Sequence, residues 1–376
     1  MIPLVCRLQS IFFAMRFPRA FSACIALTGV LLAIAPSAGY AQTDAPKGRM
    51  ITSLGVAINP SSHKVYAVDE GAGTVSVTYE RTGSNRPVKV GSGPIAIAIN
   101  RVTNRIYVAN TASGTISVID GQQDSVIATI QGESHPYVLA VNEASNKIYV
   151  TNTYSNAVTV IDGATNTATA MKVGSADGIA IDPSSNTVFL MGYEDPNIRL
   201  VDGATGSVSK VAVGAHLWGM AFDESSGTLY LGHTGTAEIV ALNEKSHEVS
   251  TISVGSIPCG LAVNPATHMV YAVNYGDETV SAINANKRKV VATLNVGKHP
   301  QAVIVDSKHN RVYVANTHSN SVTAIDGAKN TVVATYAAGG NPYALAVDPD
   351  TGLVYTANYG EPSVSSIDVS HSTNQK

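Results

Sequence analysis

Residues 147–171 read KIYVTNTYSNAVTVIDGATNTATAM, and their spacing decides the fold. Ile148-Tyr149-Val150-Thr151-Asn152 is a short β-branched run carrying an aromatic, and Val158-Thr159-Val160-Ile161-Asp162 alternates larger with smaller side chains. Each has the length and composition of one strand. Polar residues separate them, and Asp162-Gly163 is turn chemistry, not a catalytic acid. Together they read as part of an antiparallel meander.

The same pattern recurs along the chain. An aromatic in a β-branched run stands at Tyr66, Tyr107, Tyr149, Phe189, Tyr230, Tyr271, Tyr313 and Tyr355, at intervals of 41, 42, 40, 41, 41, 42 and 42 residues. Each copy opens with a glycine and often a proline, as in Gly297-Lys298-His299-Pro300, and then runs through four short strands. Examples are Ala302–Asp306, Arg311–Asn316, Thr115–Asp120 and Val290–Leu294, with no helix-length periodic segment anywhere. One such sheet cannot cover both its faces, so the copies stack radially. The fold class is all-β, a β-propeller of four-stranded antiparallel blades. First strands at Val56, Ile97, Leu139, Ile179, Met220, Leu261, Val303 and Leu345 predict eight blades, with seven as the alternative. The last copy stops at residues 370–373 without a fourth strand, and Arg49-Met50-Ile51-Thr52 is the candidate that completes it.

On these residues the chain resembles the YVTN-type, YncE-like β-propeller repeat family. Ile148–Asn152 carries the name motif verbatim, and Val108-Ala109-Asn110 and Val314-Ala315-Asn316 are near copies. The resemblance covers about residues 54–369 and implies an exported bacterial propeller. The broader group includes lactonase-like enzymes and quinoprotein-like propellers, so it fixes architecture and leaves the reaction open.

Residues 1–41 read as a signal peptide. Arg16 and Arg19 precede an apolar run from Ala23 to Ala35, and Gly39-Tyr40-Ala41 supplies a small-residue cleavage site. Residues 42–376 then form one propeller domain of about eight 41-residue repeats, periplasmic or secreted, with no membrane span and read as a monomer. Cleavage removes Arg7, Arg16 and Arg19 from 24 basic residues, leaving 21 against 27 acidic ones. That surface gives no reason to expect nucleic acid. Cys6 and Cys24 depart with the signal, and Cys259 alone can form no internal disulfide.

In a meander the loop entering the first strand and the loop joining strands two and three emerge on one face. The entering loops carry His135, Asp177, His216, Cys259, His299 and Asn341, and their partners carry Tyr154, Tyr193, His233, Tyr275, His318 and Tyr359. His135, His216 and His299 recur in alternate blades and read two ways: as ligands of zinc or copper at the channel mouth, or as fillers of a tolerant loop slot that Gly93 and Asn341 also occupy. Trp218, the one tryptophan, rims a ligand mouth or packs between blades, and Tyr137 and Tyr343 read as packing. Asp177, His216 and Cys259 sketch a hydrolytic set, against which Cys259 reads as a small core residue. The opposite face, with His63, His268 and His309, reads as ordinary solvated turns.

Two functions follow. The first is an exported binding or interaction propeller that holds a small ligand, glycan or protein segment at His135, His216, Trp218, His299, Tyr154, Tyr193, Tyr275, His318 and Tyr359. The alternative is a metal-assisted hydrolase, lactonase or lyase with a His-lined axial site; no complete catalytic motif is present. For the export reading, N-terminal sequencing of protein recovered outside the cytoplasm is expected to begin at Gln42; an intact precursor as the main species would contradict it.

Overall fold

The structure is a computed structural model that describes residues 55–359 and 364–369. The signal reading of residues 1–41 and the closing strand near Met50 lie outside them. The chain forms eight blades, which decides against seven: seven four-stranded sheets and, among the described residues, a three-stranded eighth. Within each blade every strand pairs antiparallel with the next in sequence, as in Pro136–Asn142, Lys147–Asn152, Val158–Asp162 and Thr167–Met171 of blade 3. No α-helix occurs among the described residues, only two single 3-10 turns.

Burial grades from the axis outward. The first strand of blade 6, Pro258–Asn264, is buried at every position, whereas its fourth, Lys289–Asn295, alternates exposed and half-buried. First strands therefore line the axis and fourth strands form the rim. Between blades 1 and 2, Tyr66, Ala57 and Val75 pack on Ile97, Ile99 and Ile106, so one face of each blade fills the next. Ring closure uses the same packing: Val56, Ile58 and Val65 of blade 1 share a core with Ala344, Ala346 and Tyr355 of blade 8.

The repeated aromatic has a double role. Tyr66, Tyr149 and Tyr271 are fully buried, and their hydroxyls reach into the next blade, to Gly121 O, Gly203 O and Asn330 Oδ1 at 3.5, 3.4 and 3.2 Å. The motif asparagine ties its own blade together. Asn152 Nδ2 donates to Val150 O, Ala157 O and Thr159 Oγ1 at 3.1, 2.9 and 3.1 Å, and Asn110, Asn274 and Asn316 do the same toward Ser117, Ser281 and Thr323. The Asp-Gly aspartates are turn residues, as read. Asp162 Oδ1 accepts from Ala164 N and Thr165 N, and these bonds hold its carboxyl below the ordinary value.

A second repeated bond links neighbouring blades on the face opposite the entering loops. The last residue of a first strand donates its amide to the residue closing the first turn of the next blade. The pairs are Asn59 to Asn104, Asn100 to Asn146, Asn142 to Asn186 and Asn264 to Asn310, at 2.7, 2.8, 2.8 and 2.8 Å. The accepting slot is left-handed in every copy, with φ from 50° upward, which restricts it to Asn, His or Gly here. The clasp also explains the glycine of Asp-Gly: a Cβ on Gly121 or Gly163 would lie 2.2 or 2.3 Å from the clasp oxygen of Asn104 or Asn146. That glycine is needed for close approach, not for its φ.

Where the donor becomes Asp, the acceptor changes too. Asp223 faces His268 and Asp348 faces His63, while by position Asp182 and Asp306 meet Gly227 and Gly352. An aspartate cannot donate, so an asparagine oxygen opposite it would be repelled. Asn100→Asp keeps the bonds its Oδ1 accepts from Val102 N and Thr103 N and is expected to cost about 2 kcal/mol by setting two acceptors face to face. Adding Asn146→His should recover part of that loss in urea unfolding, and a strictly additive double variant would contradict the clasp.

Candidate functional site

The histidine slot of the entering loops is set by backbone. His135, His216, His299, Asn341, Gly93 and Ile257 all stand at positive φ, between 48° and 63°. Except for Ile257 these are the residue types that tolerate the left-handed region. The slot's carbonyl is used alike in each copy, accepting Thr153 N, Thr234 N and Thr317 N for His135, His216 and His299 at 3.1, 3.1 and 3.2 Å. Histidine recurs there because the turn admits it.

The two sets of loops do share one face. Their rings meet: His135 with Tyr154, Tyr193 with His216, Tyr275 with His299, and Tyr343 with Tyr359, at centroid separations of 4.8, 5.3, 4.8 and 4.1 Å. Each histidine has its own neighbours. His135 Nδ1 meets Ser134 Oγ, His216 Nε2 lies 3.6 Å from Glu194, and His299 meets the His318 ring edge-on. Among the described residues, the one group of three metal-competent side chains within 4.8 Å of one another is His63, Glu80 and Asp348, on the other face. His135, His216 and His299 are not such a group, because the ring carries each in a separate blade. The structure likewise does not bring Cys259, Asp177 and His216 together as a hydrolytic set. The Cys259 thiol is 5 % exposed, packs in the core between blades 6 and 7, and lies 3.7 Å from Pro300 O.

Blade 4 departs from the repeat, and it does so in step. Gly192 takes the place of the motif asparagine, and Arg199 takes the place of the small hydroxyl residue that asparagine holds elsewhere. The guanidinium fills the space left by both. Its side chain is 4 % exposed, it donates to Val173 O and Ser175 O, and its Nε lies 3.5 Å from Asp195 Oδ2. Asp177 Oδ2 accepts from Tyr193 N at 2.9 Å, and Tyr193 O accepts from His216 N at 2.6 Å, so one acid sets the tyrosine that links blade 4 to blade 5. Trp218 is half-buried against the blade 6–7 core and meets the Tyr193 ring edge-on at 5.7 Å. The packing reading of it therefore holds.

Over this floor lies a depression of about 710 Å³ lined by Lys172, Asp177, Tyr193, Asp195, Arg199 and Lys210 among others. Burial, countered by Asp195 and Asp177, lowers the Arg199 value, and burial raises that of the Tyr193 hydroxyl. Three cations and several acids give the depression mixed charge. Arg199 is the residue that sequence reading missed. Its signal was present: the glycine that breaks the motif is followed seven residues later by a long cation where the repeat has Ser or Thr.

The fold defines an eight-bladed β-propeller. Residues 252–371 match the model of a family described as YNCE-like beta-propeller, and solved structures share the propeller fold. One such structure is the hydrazine synthase of Kuenenia stuttgartiensis, at 18% identity and TM-score 0.59, covering 88% of this chain and 99% of that one. Another is the dihydro-heme d1 dehydrogenase NirN in complex with DHE, at 12% identity and TM-score 0.66, covering 80% and 69%. At such identities the likeness concerns the fold alone. No curated protein matches the chain in sequence.

The His299–His318 contact gives a pH dependence. Burial first, and His299 second, lower the His318 value from its ordinary 6.5. The unfolded chain then takes up this proton before the folded one, so the contribution is complete above 6.5 and is lost as pH falls below it. In melts between about pH 7.5 and about pH 5.5, His318→Asn should flatten the acid-side drop in Tm. An unchanged pH profile in that variant would contradict the assignment.

Proposed function

We propose that this protein is an exported, monomeric binding propeller that holds a small polar ligand of the oligosaccharide class at the depression on blades 3 and 4. The observation that carries the reading is the paired departure of Gly192 and Arg199 from the Asn with Ser or Thr that blades 2, 3, 6, 7 and 8 keep, with a buried cation placed where the repeat has a small hydroxyl. Replacing a satisfied Asn–Ser contact by a buried arginine is costly unless the arginine serves something. Here it underlies a concavity with an aromatic edge, two surface lysines and carboxylates, a mixture that suits many hydroxyls more than a single ion. Tyr193 and Trp218 offer apolar ring surface for stacking, and Asp177 fixes the tyrosine that presents it.

The metal-assisted hydrolase reading needs the three imidazoles at one point, and no observation favours it. Trp218, as the one tryptophan of the chain, makes the site self-reporting. Titration of the full chain with a panel of neutral and acidic oligosaccharides is expected to give saturable change in tryptophan emission for at least one member. Tyr193→Ala should weaken that binding by at least about tenfold, or roughly 1.4 kcal/mol, with the melting temperature nearly kept. Binding that is equally tight in Tyr193→Ala, or an emission that no member of the panel alters, would contradict the proposal.

A further inference from the structure

The face opposite the depression carries a second departure from the repeat, at the seam where blade 8 meets blade 1. Three slots meet at every blade junction there: the end of a first strand, the left-handed turn residue of the next blade, and the residue after that blade's third strand. In four junctions they hold Asn, Asn and Gly, as with Asn100, Asn146 and Gly163. At the seam they hold Asp348, His63 and Glu80. The Asp223–His268 junction has Ala285 in the third slot, so it lacks the second acid.

The seam side chains are preset. His63 stands at φ 51°, and its carbonyl accepts Glu80 N at 3.0 Å, which fixes the two residues side by side. The Glu80 and Asp348 side chains are 2% and 0% exposed. Neither Glu80 oxygen nor Asp348 Oδ2 makes a hydrogen bond of ordinary geometry, so three buried acceptors face one spot, with the Tyr355 hydroxyl acting on Glu80 as a donor.

The distances point the same way. His63 Nδ1 lies 3.5 Å from Glu80 Oε2 and 3.8 Å from Asp348 Oδ2. Hydrogen bonds would be shorter. A tetrahedral ion with bonds of about 2.0–2.2 Å, however, holds its ligand atoms about 3.3–3.6 Å apart. His63 is 27% exposed on its side chain, which leaves an approach and a fourth position for water. We propose that His63, Glu80 and Asp348 bind a divalent transition-metal ion of the zinc or manganese class, which clamps the first blade to the last. One imidazole beside two carboxylates is a mixed nitrogen and oxygen set, whereas calcium takes six to eight oxygens.

The test compares the full chain, stripped by chelator, with His63→Asn/Glu80→Gly/Asp348→Asn, which installs the set four other junctions use and so should fold. Wild type should bind about one equivalent of zinc or manganese in equilibrium dialysis and gain several degrees in Tm, with little response to calcium or magnesium. The triple variant should keep the wild-type circular dichroism and lose both responses. Glu80→Gln, which keeps shape, should weaken zinc binding by at least about tenfold. Failure of wild type to bind either ion overturns the proposal. So does zinc binding of equal strength in the triple variant, which would move the ion to other histidines, and so does an equal response to calcium. None of these outcomes bears on ligand binding at Tyr193.

Discussion

The whole structure depends on one geometric constraint: a blade with two apolar faces is stable only between two others. Tyr66 of blade 1 fills the face of blade 2, and the pattern repeats until Tyr355 fills the face of blade 1. No blade can be omitted without exposing two such faces to water, at about 25 cal/mol for each Å². Closure of the ring is therefore what makes each local contact worthwhile. The one junction between residues far apart in sequence is also the one that carries His63, Glu80 and Asp348.

Within that ring two side-chain bonds set position. The motif asparagine joins the second strand to the third inside a blade, and the asparagine clasp joins first strands across blades. Both ask for specific partners, since a buried amide without one is costly. The repeat therefore acts as a reference, and a change in one member reads as meaningful when its partner changes as well. Gly192 with Arg199 is such a change, and Asp348 with His63 and Glu80 is another. They lie on opposite faces, which separates a proposed ligand site from a proposed structural clamp.

Much of the fold was legible in the sequence, because propeller periodicity is local. The aromatic intervals gave eight blades, and the meander rule placed Tyr154, Tyr193, Tyr275 and Tyr359 beside the entering loops, where ring contacts put them. Tyr137 packs as read, at 5% exposure. The site was less legible for physical reasons. A histidine in a left-handed slot looks like a ligand in the sequence, since φ is not written there. Arg199 sits in a strand, and attention went to loops. His63 reads as a solvated turn, yet it faces Asp348 from the other end of the chain, a contact that only ring closure creates.

The central claim is that paired departures from the repeat mark sites that function maintains, at some expense to packing. Its most direct test is the thermal unfolding midpoint of Gly192→Asn/Arg199→Ser, which returns blade 4 to the pattern of blades 2, 3, 6 and 7. The account predicts a midpoint at or above that of wild type, because a satisfied amide–hydroxyl contact replaces a buried cation whose Nε lacks a hydrogen bond. A midpoint lower by about 5 °C or more would contradict it, since Arg199 would then serve the fold and not a ligand.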